Sequence, residues 1–294
     1  MGWAAYDYVG TPNVDPTGDI ALDLVLPIVQ ATLLLQLLHE AGHLVAALYH
    51  RLELGAPFLI PSAILGLGGG HAPLASFPKN RTQLYDFAMA GPLAGGAASA
   101  AMFAAGLYLT ATATAAETAL FPLLPTSTLH CSLVGSLAVE LSLGTPSATA
   151  ENAATYALHP LALSGFSGVV ANALALLPIG RLDGGRAATA AYGRRTAAAI
   201  GALALLLLAV ASAASEAPNL LLLWAAISVA LFRQAEVPCT DEISEIEPAR
   251  SRALLPLLLL AALVLCPLPA ADTDGGAGFD ELARMAADSG ELFN

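Results

Sequence analysis

The sequence predicts an all-α polytopic membrane protein of about six transmembrane helices, with a small membrane-surface β-hairpin or loop after the first. Three observations predict it. The 294 residues are 56% hydrophobic and only 12% charged. Soluble domains carry about 25% charged residues, so lipid is the expected solvent for most of the chain. Six apolar runs, near 20–50, 85–112, 157–180, 197–215, 219–232 and 253–270, approach the roughly 20 residues that a spanning helix needs. Six crossings put the loops 51–84, 181–196 and 233–252 on one side, and ten of the 11 Lys and Arg residues with them, leaving Arg284 alone opposite. An excess of Lys and Arg marks the cytoplasm-facing loops.

Residues 1–19 form a polar, acidic N-terminal segment. It lacks the basic region of a secretory signal and the arginines of a transit peptide, so no cleavable targeting segment is expected there. Residues 20–270 read as one membrane-embedded domain, and 271–294 as an acidic tail. The 52–80 loop is apolar, glycine-rich and broken by prolines. It fits short strands or a hairpin against the membrane surface, or an ordinary interfacial loop. A hairpin edge there can accept an extended peptide segment by strand addition. The 90–101 stretch is built of small residues, which let membrane helices approach closely, and Gly91-Pro92 is a site for a kink. The 118–143 stretch contains Pro122, Pro125, His130 and Glu140 and reads as an interfacial or re-entrant segment. The acidic stretch 241–247 reads as solvated surface. The formal net charge of −12 argues against nucleic acid as a partner. Cys131, Cys239 and Cys266 are too scattered for a disulfide framework or a cysteine zinc site. No internal repeat is visible, which counts against a transporter built from duplicated halves.

His39-Glu40-Ala41-Gly42-His43 carries the chemistry. Residues four apart share one helix face, so both imidazoles can bind one zinc ion while Glu40 acts as general base toward a water on it. The five residues alone also fit a polar face of a soluble helix. Their position argues otherwise: the two histidines lie 8 and 12 residues before Arg51, about 12 to 18 Å along a helix. Ionisable groups at such depth are functional candidates. A catalytic zinc site uses three protein ligands and keeps one position open. Asp183 of Leu182-Asp183-Gly184-Gly185 is the candidate third ligand, because it closes the third span on the same side; a D-G-G also fits a turn aspartate capping the next helix. His71 reads as a solvated loop residue rather than a ligand. His50 and His130 read as interfacial and His159 as structural. Arg186, one turn after Asp183, can pair with it or with lipid headgroups, and lipid or solvent is the expected partner.

These residues resemble the site-2 protease family of intramembrane zinc metalloproteases, which pairs H-E-x-x-H on one helix with an L-D-G-G aspartate on a later one. Residues 58–61 (F-L-I-P), Asp86 with 90–95 (A-G-P-L-A-G), 159–161 (H-P-L), 177–180 (L-P-I-G), 182–186 and Pro238-Cys239 follow in order. Together they resemble the plant and cyanobacterial branch called ethylene-dependent gravitropism-deficient and yellow-green proteins. The resemblance implies one zinc ion on His39, His43 and Asp183, Glu40 as catalytic base, and cleavage of membrane-protein substrates in or near a transmembrane helix. It implies a plastid membrane, thylakoid or envelope, with the site toward the stromal or cytoplasmic side. One position departs. Ala175 stands where the family has asparagine. Asn172, one turn earlier, can face the same way and is the candidate for substrate or oxyanion support. Ala175 is the feature that would favour a catalytically inactive scaffold or chaperone of the same fold.

Overall fold

The computed structural model describes residues 19–56, 58–62, 66–145, 155–213 and 218–268. The expected N-terminal segment up to residue 18 and the expected tail, with Arg284, lie outside the described residues.

Helix α1 runs from Asp19 to His50. Its buried positions Ala31, Leu35, His39, His43 and Ala47 recur every fourth residue, which lines them along one face. The opposite face exposes Leu37, Leu44, Val45 and Leu48. A helix that is apolar on its exposed face and buries two imidazoles on the other has the pattern of one surrounded by lipid.

Strands β1 (Phe58–Ser62) and β2 (Gly66–His71) form the expected hairpin, antiparallel with a bulge between Ile60 and Pro61. Strand β2 packs on α1 and on α6, a helix of residues Pro160–Ala175. At Gly70 a Cβ would stand 2.6 Å from Gln36 Nε2 and 2.1 Å from Glu40 Oε1. Glu40 is 11 residues before Arg51, about 17 Å along the helix.

Helix α2 (Arg81–Thr112) starts where Asn80 Oδ1 accepts from the Gln83 amide at 3.0 Å. It packs along α1 and α6 and passes through Pro92 without interruption. The 118–143 stretch is a string of short elements: α3 (Ala115–Thr118), β3 (Leu123–Pro125), α4 (Thr126–Leu129) and α5 (Leu133–Leu143). A second small sheet joins β3 to β4 (Thr155–Ala157), a pairing that no alternation in the sequence signals. Helix α6 opens with Pro160 in its first turn, and His159 Nδ1 accepts from the Leu161 amide at 3.1 Å, so His159 is structural as expected. After α6 the chain turns through 176–182 into α7 (Asp183–Tyr192) and α8 (Arg194–Ala213). The expected polar loop 181–196 is thus mostly helix. Helix α9 (Pro218–Ile227) continues into a π-helical turn at Ser228–Phe232, and α10 spans Pro248–Val264.

Among the described residues, three helices are long and apolar enough to cross a membrane: Val25–His50 in α1, α2 and α8. The helices Leu133–Leu143, Pro160–Ala175 and Leu221–Phe232 are apolar but shorter. Hydrogen bonds tie the helix ends into two groups. At one end Asp86 accepts from Arg250 Nε at 2.8 Å and pairs with His50 at 3.2 Å. There too Arg81 donates to the Ala190 carbonyl at 2.8 Å, and Arg194 binds Glu242 at 3.0 Å. At the other end the His159 amide donates to Thr110 Oγ1 at 3.0 Å, and the Leu133 amide to the Cys266 carbonyl at 2.7 Å.

Candidate metal centre

The centre is assembled from α1, α2, α6 and α7. On α1 the i, i+4 spacing brings both imidazoles to one side, with Nε2 atoms 3.1 Å apart. Asp183, at the start of α7, brings Oδ2 to 3.2 Å from His43 Nε2 and 3.3 Å from His39 Nε2. His39, His43 and Asp183 are all buried, and among the described residues they form the group able to hold a metal ion. The sequence-predicted triad is therefore brought together in space.

The hydrogen bonds behind the ligands decide which ring nitrogens carry protons. Asn172 Nδ2 donates to the Gly168 carbonyl at 2.8 Å and to Ser99 Oγ at 3.4 Å, so Asn172 Oδ1 faces His39 as an acceptor. His39 Nδ1 then donates to it at 2.8 Å. His43 Nδ1 donates to the Phe87 carbonyl at 2.9 Å. Both Nε2 atoms are left with lone pairs, and two lone pairs 3.1 Å apart beside a carboxylate repel unless a cation lies between them. Zinc bonds of about 2.0–2.1 Å at tetrahedral angles put ligand atoms about 3.3 Å apart, close to the separations observed. Two imidazoles and one carboxylate, each imidazole held by a hydrogen bond from its far nitrogen, is a donor set that fits zinc.

Glycines let the helices come this close. A Cβ on Gly91 would stand 2.2 Å from His43 Nε2, and one on Gly95 2.8 Å from both Asn172 Oδ1 and His39 Cβ. The small-residue stretch of α2 therefore packs against α1, as its composition predicts. Around Asp183 the backbone folds tightly on itself. Gly180 has φ +47°, and a Cβ there would meet the Phe232 carbonyl at 1.9 Å; a Cβ on Gly184 would meet the Leu176 carbonyl at 1.9 Å. Close approach, and at Gly180 a left-handed conformation, call for residues without side chains.

Glu40 lies half-buried beneath β2, its Oε1 accepting from Gln36 Nε2 at 3.3 Å. Three expectations need correction. Asn172 has no free donor for an oxyanion: its amide is buried and engaged on His39, Gly168 and Ser99. Arg186 does not face lipid or solvent. It is 0% exposed, ion-paired to Glu236 and 3.5 Å from Asp183 Oδ1. His71 is not solvated: its ring packs on Phe232, and Arg186 Nη2 stands 3.5 Å from its Nε2. Burial first, and then the nearby guanidinium, push its pKa down to about 3, so the ring is neutral at physiological pH. Phe87 and Glu236 were not recognised from sequence. The one available signal for Glu236 is a lone acid inside the uncharged run Gln234-Ala235-Glu236-Val237-Pro238.

Residues 28–214 match the profile of peptidase family M50. The chain belongs to family M50, the site-2 proteases. This M50 chain is 34% identical over 267 residues to the rice (Oryza sativa subsp. japonica) "Probable zinc metalloprotease EGY1, chloroplastic", covering 89% of the chain and 45% of that protein. It is 32% identical over 266 residues to the Arabidopsis thaliana protein of the same description, covering 89% and 47%. It is 29% identical over 259 residues to the Arabidopsis "Probable zinc metallopeptidase EGY3, chloroplastic", covering 86% and 44%. The M50 chain thus spans a little under half the length of these relatives. No solved structure matches it.

Proposed function

We propose that the chain is an intramembrane zinc metalloprotease that cleaves membrane-protein substrates in or near a transmembrane helix. The observation that carries this reading is the triangle of His39 Nε2, His43 Nε2 and Asp183 Oδ2, with edges of 3.1 to 3.3 Å and both imidazoles tautomerically prepared for a cation. His39, His43 and Asp183 are the proposed ligands. Zinc held there lowers the pKa of water and stabilises an oxyanion. Glu40 is the proposed general base: its carboxylate takes a proton from the attacking water and gives it to the departing amide nitrogen as the C–N bond breaks. Asn172 and the Phe87 carbonyl hold the two imidazoles in orientation. The hairpin passes directly over Glu40, which supports binding of an unwound substrate segment along it by strand addition. His39, His43 and Asp183 form one buried cluster, which supports a metal centre and lends no support to an inactive scaffold.

The domain 20–270 is read as crossing the bilayer six times, with α6, α9 plus its π-turn, and α10 as the shorter crossings. Support comes from the helix ends: basic groups from α2, α8 and α10 gather at one end, and the connections at residues 110, 133, 159 and 266 at the other. The relatives are described as chloroplastic, which supports a plastid location, and the apolar helices support a membrane there, thylakoid or envelope. The basic end, and the metal centre nearer to it, would face the stroma.

Replacing Glu40 with glutamine tests the chemistry. In detergent or vesicles, Glu40→Gln keeps one zinc per chain by metal analysis, while cleavage of a helical membrane substrate falls by about 10²–10⁴-fold. Undiminished cleavage by that variant excludes Glu40 as the base.

A further inference from the structure

Arg186 and Glu236 lie behind Asp183 and are not accounted for by ligands and base alone. Arg186 sits on α7, one turn after Asp183, and is 0% exposed; Glu236, in the connection between α9 and α10, is 5% exposed. The guanidinium is held at nearly every corner. Nε donates to Glu236 Oε2, Nη2 donates to the Ala72 carbonyl at 3.1 Å, and the plane lies 5.3 Å from the centre of the Phe87 ring. Nη1 is the exception: buried without a hydrogen-bond partner, it faces Asp183 Oδ1 at 3.5 Å. Glu236 is fixed in turn, because its Oε1 accepts from the Val237 amide at 2.8 Å and Arg194 Nη1 donates to its backbone carbonyl at 2.9 Å.

The Asp183 carboxylate is therefore divided, Oδ2 facing the two imidazoles and Oδ1 facing a cation. A buried arginine alone beside a buried aspartate would close on it, since charge-assisted N–H···O bonds settle at about 2.7–2.9 Å and uncompensated charge is costly in the interior. Such a pair would draw the carboxylate away from a metal. In this chain Glu236 holds the guanidinium through Nε, and Nη1 stays short of a full bond to Asp183.

We propose that Glu236 is a positioning residue for the metal centre: by occupying the Arg186 guanidinium it keeps Asp183 available to the cation. The proposal rests on Asp183 being a ligand. It makes the loop at 233–247 a part of the centre, although that loop contributes no ligand. It also assigns the pair a sign. With Glu236 removed Arg186 becomes a competitor, whereas with both removed the competition disappears.

The test is zinc affinity of the full chain in detergent, by competition with a chromophoric chelator, with circular dichroism to check helix content. Glu236→Gln weakens zinc binding by about tenfold to a hundredfold, the range for groups that orient metal ligands. The double variant Arg186→Met with Glu236→Gln recovers at least about half of that loss on a logarithmic scale. Wild-type affinity in Glu236→Gln overturns the proposal, and so does a double variant that binds no better than the single. If Glu236→Gln fails to fold, the double variant is compared with wild type directly. Affinity within about tenfold of wild type supports the proposal, and a larger loss overturns it. Wild-type affinity in Asp183→Asn removes the ligand reading itself, and this inference with it.

Discussion

At the scale of single residues, function depends on side chains that hold other side chains. Asn172 shows how. Its amide orientation is set by donation to Gly168 and Ser99, and that orientation dictates which nitrogen of His39 is free for a metal. Asn172→Ala is therefore expected to lower zinc affinity by about tenfold to a hundredfold while leaving the helices intact, as read by chelator competition beside circular dichroism. An unchanged affinity would mean that the helix backbone alone fixes the ring. His39, Glu40 and His43 were legible because their five-residue spacing is itself the geometry of one helix face, and because an apolar frame makes ionisable residues conspicuous. Asp183 was legible only with its glycines and its place after the third apolar run. The role of Asn172 was not legible. Its position one turn from Ala175 indicates a helix face, but not whether the amide points to a substrate or to His39.

At the scale of elements, helix approach decides whether the centre exists. Helices α1 and α2 meet through Gly42, Gly91 and Gly95, and Gly91 is the tightest point against a proposed metal ligand, His43. Gly91→Ala should displace the His43 ring and abolish stoichiometric zinc binding. Gly96→Ala, where the nearest atom to an added Cβ is 3.9 Å away, should retain it; metal analysis of the two purified variants checks the contrast. Equal zinc content would show that α2 can retreat at little cost. The hairpin was legible as a run of glycines and prolines between two apolar helices. Its packing was not, because nothing local states that β2 will lie on Gln36 and Glu40. The β3–β4 pair was missed because two three-residue strands about 30 positions apart leave no periodic pattern.

At the scale of the whole molecule, the centre joins distant parts of the chain. His43 and Asp183 are separated by 140 positions, and Arg186 and Glu236 by 50. An ion held by α1 and α7 cross-links the helices in the native state and not in the unfolded one, so it must stabilise the fold. Chelation is expected to lower the thermal midpoint, and zinc at a thousandfold over its Kd to restore about 4 kcal/mol. In Asp183→Asn the midpoint should respond far less. A midpoint in wild type that ignores both chelator and zinc would show that the helices hold the site together without the ion.

The sequence by itself determined the solvent, the approximate helices, the two imidazoles with their neighbouring glutamate, and the need for a third ligand. Each of these follows from composition or from spacing within one element, where covalent geometry alone relates the residues. Only the tertiary structure decided that Arg186 turns inward, that Glu236 meets it, that Asn172 serves His39, and that the hairpin lies over Glu40. Those are contacts between elements far apart in the chain. They depend on how closely backbones can approach and on where a buried charge finds its partner, and neither is written in any local pattern.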